Sequence, residues 1–236
     1  MAAHQVDLAK AREAEDEAQR IGANIPKLSQ GPSCSDQKGI PRDRVVREAR
    51  RQEAFAASGV PSRHMGPLRD LGAGTTTKWE ELQLKVYQGL ETGFLIAVTG
   101  ARGTGKTQLG VKTIRDWINC DLFGLARYVQ MAEVFMAIKE AYKPDGPTER
   151  QQLAKFIKPR LLVIDEIHER SESEWENRLF SYMIDQRYGA MLDTILITNQ
   201  VPAKFAESVG PSIYDRLTET GGLIVCDWPS YRGTQK

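Results

Sequence analysis

The sequence predicts a three-layer α/β fold built on a five-stranded parallel sheet, and three observations carry that prediction. From Gly93 onward, five short runs rich in Val, Ile and Leu are separated by amphipathic stretches: Phe94–Thr99, Ala126–Met131, Leu161–Asp165, Thr194–Thr198 and Leu223–Asp227. The runs are nearly continuous in apolar character rather than alternating, the pattern of strands covered by helices on both faces. The first run leads into a glycine-rich loop and then a helical pattern, a unit that places ligand chemistry at the carboxyl ends of the strands.

The chain before this core has a different texture. Asp7 to Arg20 is rich in Ala, Glu and Arg, so it favours a helix but offers few large apolar side chains to bury. Gly31–Pro41 reads as a linker. Arg42 to Ala57 reads as a second helix, and from Lys38 to Arg51 six basic residues face two acidic ones. That balance suits a solvated helix face, or contact with phosphate or an acidic partner. Gly59-Val60-Pro61 breaks the helix, and Trp79, Leu82, Val86 and Leu90 then recur at helical spacing just before the core. The expected division is 1–57 as a helical, partly flexible partner-binding region, 58–92 as connector and packing helix, and 93–236 as the catalytic domain.

Composition excludes several classes of function. A net charge of +1 gives no global field that would mark a nucleic-acid or membrane binder, so any such surface must be local. The longest apolar runs fall far short of the roughly 20 residues that span a bilayer, and Met1 to Arg20 lacks the apolar stretch of a secretory signal. Cys34, Cys120 and Cys226 are scattered without metal-binding spacing, as in a cytoplasmic protein.

The chemistry sits in three motifs. Gly100-Ala101-Arg102-Gly103-Thr104-Gly105-Lys106-Thr107 fits the phosphate-binding pattern GxxxxGK[ST], and it lies between a strand and a helix as that pattern requires. Gly100, Gly103, Thr104, Gly105, Lys106 and Thr107 are expected to cradle a nucleotide triphosphate, with main-chain N–H groups turned inward at a helix N-terminus. Lys106 would reach the β- and γ-phosphates, while the Thr107 hydroxyl would ligate Mg²⁺. Leu161–Ile164 then ends in Asp165-Glu166: Asp165 is expected to hold the Mg²⁺ shell and Glu166 to act on the attacking water. An Asp-Glu pair favours a hydrolase over a nucleotide kinase. Thr194–Thr198 ends in Asn199, which would reach the water or the γ-phosphate if its strand lies beside that of Asp165. His168 reads as a partly exposed loop histidine. Ser171 to Arg187 reads as a helix with Ser171 and Glu174 as a capping box, packed through Trp175, Leu179 and Met183.

Together these motifs resemble an AAA+ ATPase core. Pro211–Leu217 and Cys226-Asp227-Trp228-Pro229-Ser230-Tyr231-Arg232 further resemble the C-terminal end of the DnaC-type helicase loaders and their IstB-like relatives. The resemblance spans about residues 55–236. It implies a parallel sheet of order 5-1-4-3-2 without a C-terminal lid domain, ATP and Mg²⁺ as ligands, and hydrolysis within an oligomer formed by the ATPase domain. It implies that Arg216 is an arginine finger acting on the γ-phosphate of a neighbouring subunit. It also implies single-stranded DNA binding through Glu133 to Lys158, where Phe135, Lys139, Tyr142, Lys143 and Arg150 interleave aromatic and basic groups; Phe135 and Tyr142 equally suit a helix core. The implied partner is a ring-shaped replicative helicase of the DnaB type, grasped by the N-terminal helices, with no membrane involved. The alternative is an IstB-like ATP-binding helper of a DNA transposase. Two departures stand out: Ala101-Arg102 occupies the place of a frequent Pro-Pro, and no cysteine cluster supplies the zinc module known in some relatives.

Overall fold

The computed structural model describes residues 41–66, 76–122 and 124–231. The helix expected over Asp7 to Arg20 lies outside them, as does the Gly31–Pro41 linker up to its last residue. Helix α1 (Pro41–Ala57) is followed by a 3-10 turn at Ser62–His64 and by α2 (Thr76–Gly89). The core then alternates β1 (Leu95–Gly100), α3 (Lys106–Asn119), β2 (Ala126–Gln130), α4 (Met131–Lys139), α5 (Glu149–Ile157), β3 (Leu161–Asp165), α6 (Glu174–Gly189) and β4 (Asp193–Ile197). Two short helices, α7 (Pro202–Val209) and α8 (Pro211–Thr220), lead to β5 (Gly222–Cys226).

All five strands are parallel and lie in the order β2-β3-β4-β1-β5, as the resemblance implied. Because successive side chains point to opposite faces, each strand feeds two cores. Leu95, Ala97, Leu162, Ile164 and Leu196 pack under α4, α6 and α8. Ile96, Val98, Leu161, Val163 and Ile195 pack under α2 and α3. The strands are buried on both faces, which is why their sequence shows runs rather than alternation. Helix α3 lies close on the sheet at Gly110, where a Cβ would come within 2.8 Å of Val163 Cγ1. The stripe read in α2 is confirmed, with Trp79, Val86 and Leu90 buried and Leu82 packed at the edge of the same core.

Helix α1 docks its C-terminal half onto α3. Phe55 packs at the core edge under the Arg115 guanidinium, 5.0 Å from the ring centroid, and Arg51 pairs with Asp121 at 2.9 Å. The Ser58 carbonyl accepts a hydrogen bond from Tyr128 N–H at 2.8 Å, which ties the end of α1 to the edge strand. Val45 and Val46, further up the helix, are exposed.

One boundary differs from expectation. Helix α6 begins at Glu174 with Ser173 as N-cap, whose hydroxyl accepts from Glu176 N–H at 3.3 Å. Ser171 instead donates to the Glu176 carboxylate at 2.8 Å. Glu172 stands at φ 55°, so the chain is still turning where the sequence pattern placed the cap.

Candidate active site

At the carboxyl edge of the sheet, the Gly100–Thr107 loop joins β1 to α3. Gly100, Gly103 and Gly105 all take positive φ, at 135°, 85° and 89°. A Cβ at Gly100 would also stand 2.5 Å from the Cys226 carbonyl oxygen, so conformation and space both demand glycine there. Lys106 opens α3 and is only 5% exposed; its Nζ donates to the carbonyls of Gly100 and Ala101 at 2.8 and 2.7 Å. The ammonium therefore sits in the mouth of the loop. Thr104 is buried, and its hydroxyl donates to the Ala101 carbonyl at 3.0 Å rather than facing outward.

Three donors hold the outside of this loop. Tyr231 N–H bonds the Gly103 carbonyl at 2.9 Å, Trp228 Nε1 the Thr104 carbonyl at 3.0 Å, and Trp79 Nε1 the Gly105 carbonyl at 3.3 Å.

Asp165 ends β3, buried opposite Gln130 in register. Its Oδ2 accepts from the Thr107 hydroxyl at 2.8 Å and from the Tyr128 hydroxyl at 2.7 Å, while Oδ1 accepts from Glu166 N–H at 2.8 Å. Burial, and then the Asp165 charge, push the Tyr128 phenol far up, so it remains a donor. A carboxylate beside a hydroxyl is a hard oxygen pair, which fits Mg²⁺. Tyr128 escaped the sequence reading because its meeting with Asp165 depends on the pairing of β2 with β3.

Glu166, at φ 55°, turns out of the strand end. Burial raises its carboxyl pKa first, and a hydrogen bond and charge from Glu169 raise it further, against the lowering effect of Arg102. Asn199 Nδ2 lies 3.3 Å from His168 Nε2. Burial pushes the His168 pKa down, favouring the neutral ring that can accept from an amide. Its Nδ1 is buried and has no hydrogen-bond partner among the described residues. His168 is thus the partly exposed loop histidine that its sequence position suggested, and it lies beside Asn199.

The structure therefore gathers the loop, Lys106, Thr107, Asp165 and Glu166 at one edge, with Asn199 in the bend just past the end of the adjoining strand β4. Arg216 is not in this group. It pairs with Asp185 of α6, donates to Ser212 Oγ at 2.9 Å, and lies 5.3 Å from the Tyr188 ring centroid. Of the interleaved residues between β2 and β3, Phe135 is core, with its ring 5.7 Å from that of Trp175, whereas Tyr142 is exposed and donates to Glu149 at 3.2 Å. A cavity of about 820 Å³ opens between α5 and α6, lined by Arg150, Lys158 and Arg178 beside Trp175 and Tyr182.

The chain's sequence and fold have counterparts in known proteins. The family model described as IstB-like ATP binding protein matches residues 41–236. The chain belongs to the IstB-like ATP-binding protein family. It is 28% identical over 136 residues to the replicative helicase loader DnaC of Escherichia coli K12, covering 57% of this chain and 54% of that protein. It is 29% identical over 141 residues to protein YdaV of the same organism, which is uncharacterized, covering 58% and 54%. The chain thus matches about half the length of these relatives. Among solved structures, a crystal structure of the DnaC helicase loader superimposes with a TM-score of 0.54 at 20% identity, over 72% of this chain and 97% of that one. AMPPCP-bound DnaA from Aquifex aeolicus gives 0.53 at 20% identity, over 66% and 48%. These superpositions show a shared fold.

Proposed function

We propose that this chain is an ATP-dependent loader of a replicative DNA helicase, which hydrolyses ATP to ADP and phosphate within an oligomer and engages single-stranded DNA. The observation that carries this reading is the bond between the Thr107 hydroxyl and Asp165, 2.8 Å long, beside a loop whose mouth holds the Lys106 ammonium. Main-chain N–H groups of Gly100–Thr107 and Lys106 would bind the triphosphate. Thr107 and Asp165 would hold Mg²⁺, which when bound neutralises charge between the phosphates. Glu166 orients the attacking water and accepts its proton. Asn199, steadied by His168, contacts the water or the γ-phosphate. Arg216 would serve a neighbouring subunit's nucleotide, since its partners within its own chain lie on α6 and α8. Residues 1–57 would grip the hexameric helicase. Lys139, Lys143 and Arg150 would track DNA phosphates, with Tyr142 as the exposed aromatic of that segment.

The test is co-purification of the full chain with its host's replicative helicase, with and without ATP and Mg²⁺. Retention of the helicase that changes with nucleotide supports the reading. Absence of any complex under either condition contradicts it. A second reading, a helper of a DNA transposase, is favoured by the IstB-like family match over 41–236. It predicts ATP-dependent retention of a transposase on duplex DNA instead.

A further inference from the structure

The outer side of the phosphate loop is tied with a regularity that packing alone does not require. Three consecutive carbonyls, those of Gly103, Thr104 and Gly105, each accept a hydrogen bond from a group outside the loop: Tyr231 N–H, Trp228 Nε1 and Trp79 Nε1. In a trans peptide the C=O of one residue and the N–H of the next point in opposite directions across a rigid plane, and no cis peptide occurs among the described residues. The Gly105 oxygen also accepts the first main-chain bond of α3, from Leu109 N–H at 2.9 Å, so Trp79 reinforces an orientation that the helix already favours, whereas Trp228 holds the Thr104 oxygen. Holding the three oxygens outward turns the N–H groups of Thr104, Gly105 and Lys106 the other way, into the loop. Trp79 and Tyr231 also wall the loop sterically, because a Cβ at Gly105 would lie 3.1 Å from Trp79 Nε1 and 3.3 Å from Tyr231 Cε2. The donors come from helix α2, ahead of the sheet, and from the segment that follows β5. Both tryptophans are buried, Trp79 at 4% and Trp228 at 6% exposed, so water competes little for these carbonyls.

We propose that Trp79 and Trp228 are positioning residues for nucleotide binding, which preorganise the phosphate loop by tying its carbonyls from behind. The inference rests on the nucleotide site described under Proposed function. It gives the Cys226–Tyr231 segment and the connector helix a shared task. A loop already turned toward its ligand loses less freedom when the triphosphate arrives, so affinity rises without any new contact to the ligand. A slack loop would have to order these peptides on binding.

The test replaces each indole by a ring that keeps most of the apolar bulk but has no N–H. W79F, W228F and, as a control, W117F are prepared in the full chain. Trp117 Nε1 donates to the Gly124 carbonyl at 3.2 Å, near the far end of α3, so W117F loses the same kind of bond away from the loop. Binding of mant-ATP with Mg²⁺ is titrated by fluorescence, and thermal unfolding is recorded on the same samples. W228F is expected to weaken binding roughly threefold to tenfold, the effect of one net hydrogen bond, and W79F about twofold to threefold, because Leu109 N–H still holds the Gly105 carbonyl. W117F should bind like the unsubstituted chain, although it loses comparable thermal stability. Equal affinity in all four proteins, or equal weakening in all three variants, would overturn the inference and leave the nucleotide site standing. Failure of the unsubstituted chain to bind mant-ATP would overturn the nucleotide reading as well. Should W228F fail to fold, W79F decides between the outcomes, since its tie enters from a different segment.

Discussion

Buried charge sits at both ends of this sheet, and the two ends use it differently. At the amino edge, Arg187 is fully buried and makes five hydrogen bonds, to the Thr194 hydroxyl and to the carbonyls of Phe156, Ile157, Pro159 and Asp193. Asp193 beside it accepts from the N–H groups of Glu91, Gly93 and Phe94. Nearly all of these partners are main chain, so the charges are consumed in joining α2, α5, α6, β1 and β4. At the carboxyl edge, Asp165 is bonded largely by rotatable hydroxyls, those of Thr107 and Tyr128. Lys106 bonds the carbonyls of a loop rather than of a strand or helix interior. Hydroxyls and a flexible ammonium can exchange these partners for a ligand; fixed peptide groups cannot. The amino edge holds the fold together, and the carboxyl edge is left able to do chemistry.

Substitutions at the two edges should therefore separate binding from stability. The largest effect is expected for Lys106→Ala, which should abolish ATP binding in an equilibrium titration while the unfolding transition stays within about 1 kcal/mol of the parent. Retained tight binding would break the distinction. Arg216→Ala follows, with ATP binding intact and assembly-dependent phosphate release reduced about 10³-fold. Mixing it with Lys106→Ala protein should restore part of that activity if the guanidinium acts between subunits. Its stability cost should stay below about 1 kcal/mol, as for a partly exposed ion pair. Arg187→Met should cost about 3–5 kcal/mol in denaturant unfolding, because several buried carbonyls lose their donor together. The fraction that remains folded should bind ATP normally.

The same edge also makes stability depend on pH. Burial lifts the Asp193 carboxyl from 3.8 to about 6, against its three N–H donors. A pKa raised on folding means that this group's contribution is fully present below about 3.8 and is lost as pH rises through about 6. Asp193→Asn cannot titrate, so the stability of the parent relative to this variant should decline across that interval. A constant difference from pH 4 to pH 7 would contradict the placement.

Much of the carboxyl edge was legible because its chemistry is local in sequence. A glycine loop between strand and helix, and a carboxylate pair closing an apolar run, state their context within about ten residues. The strands were legible for a related reason: burial on both faces leaves unbroken apolar runs such as Leu161–Ile164. The amino edge was not. Arg187 figured only as the last residue of a helix, and Asp193 fell just before the Thr194–Thr198 run; only the sheet brings them together. Tyr128 was missed likewise, since its bond to Asp165 needs the β2–β3 register; His168 is the partly exposed loop histidine its position suggested, and only its meeting with Asn199 needs the adjacency of β3 and β4. Trp79 and Trp228 were visible as a packing residue and a family marker, yet their indole donors find their carbonyls only in three dimensions. The cap of α6 was misplaced because Ser171 and Ser173 are equally good caps by residue type, and Glu172 in the left-handed region settles the matter for Ser173.

The most direct test of the central claim, that the carboxyl edge is an ATP-hydrolysing site, is to measure ATP affinity and phosphate release on one Glu166→Gln sample. Binding close to that of the unsubstituted chain is expected, with phosphate release reduced to background. Near-normal release from that variant would contradict it.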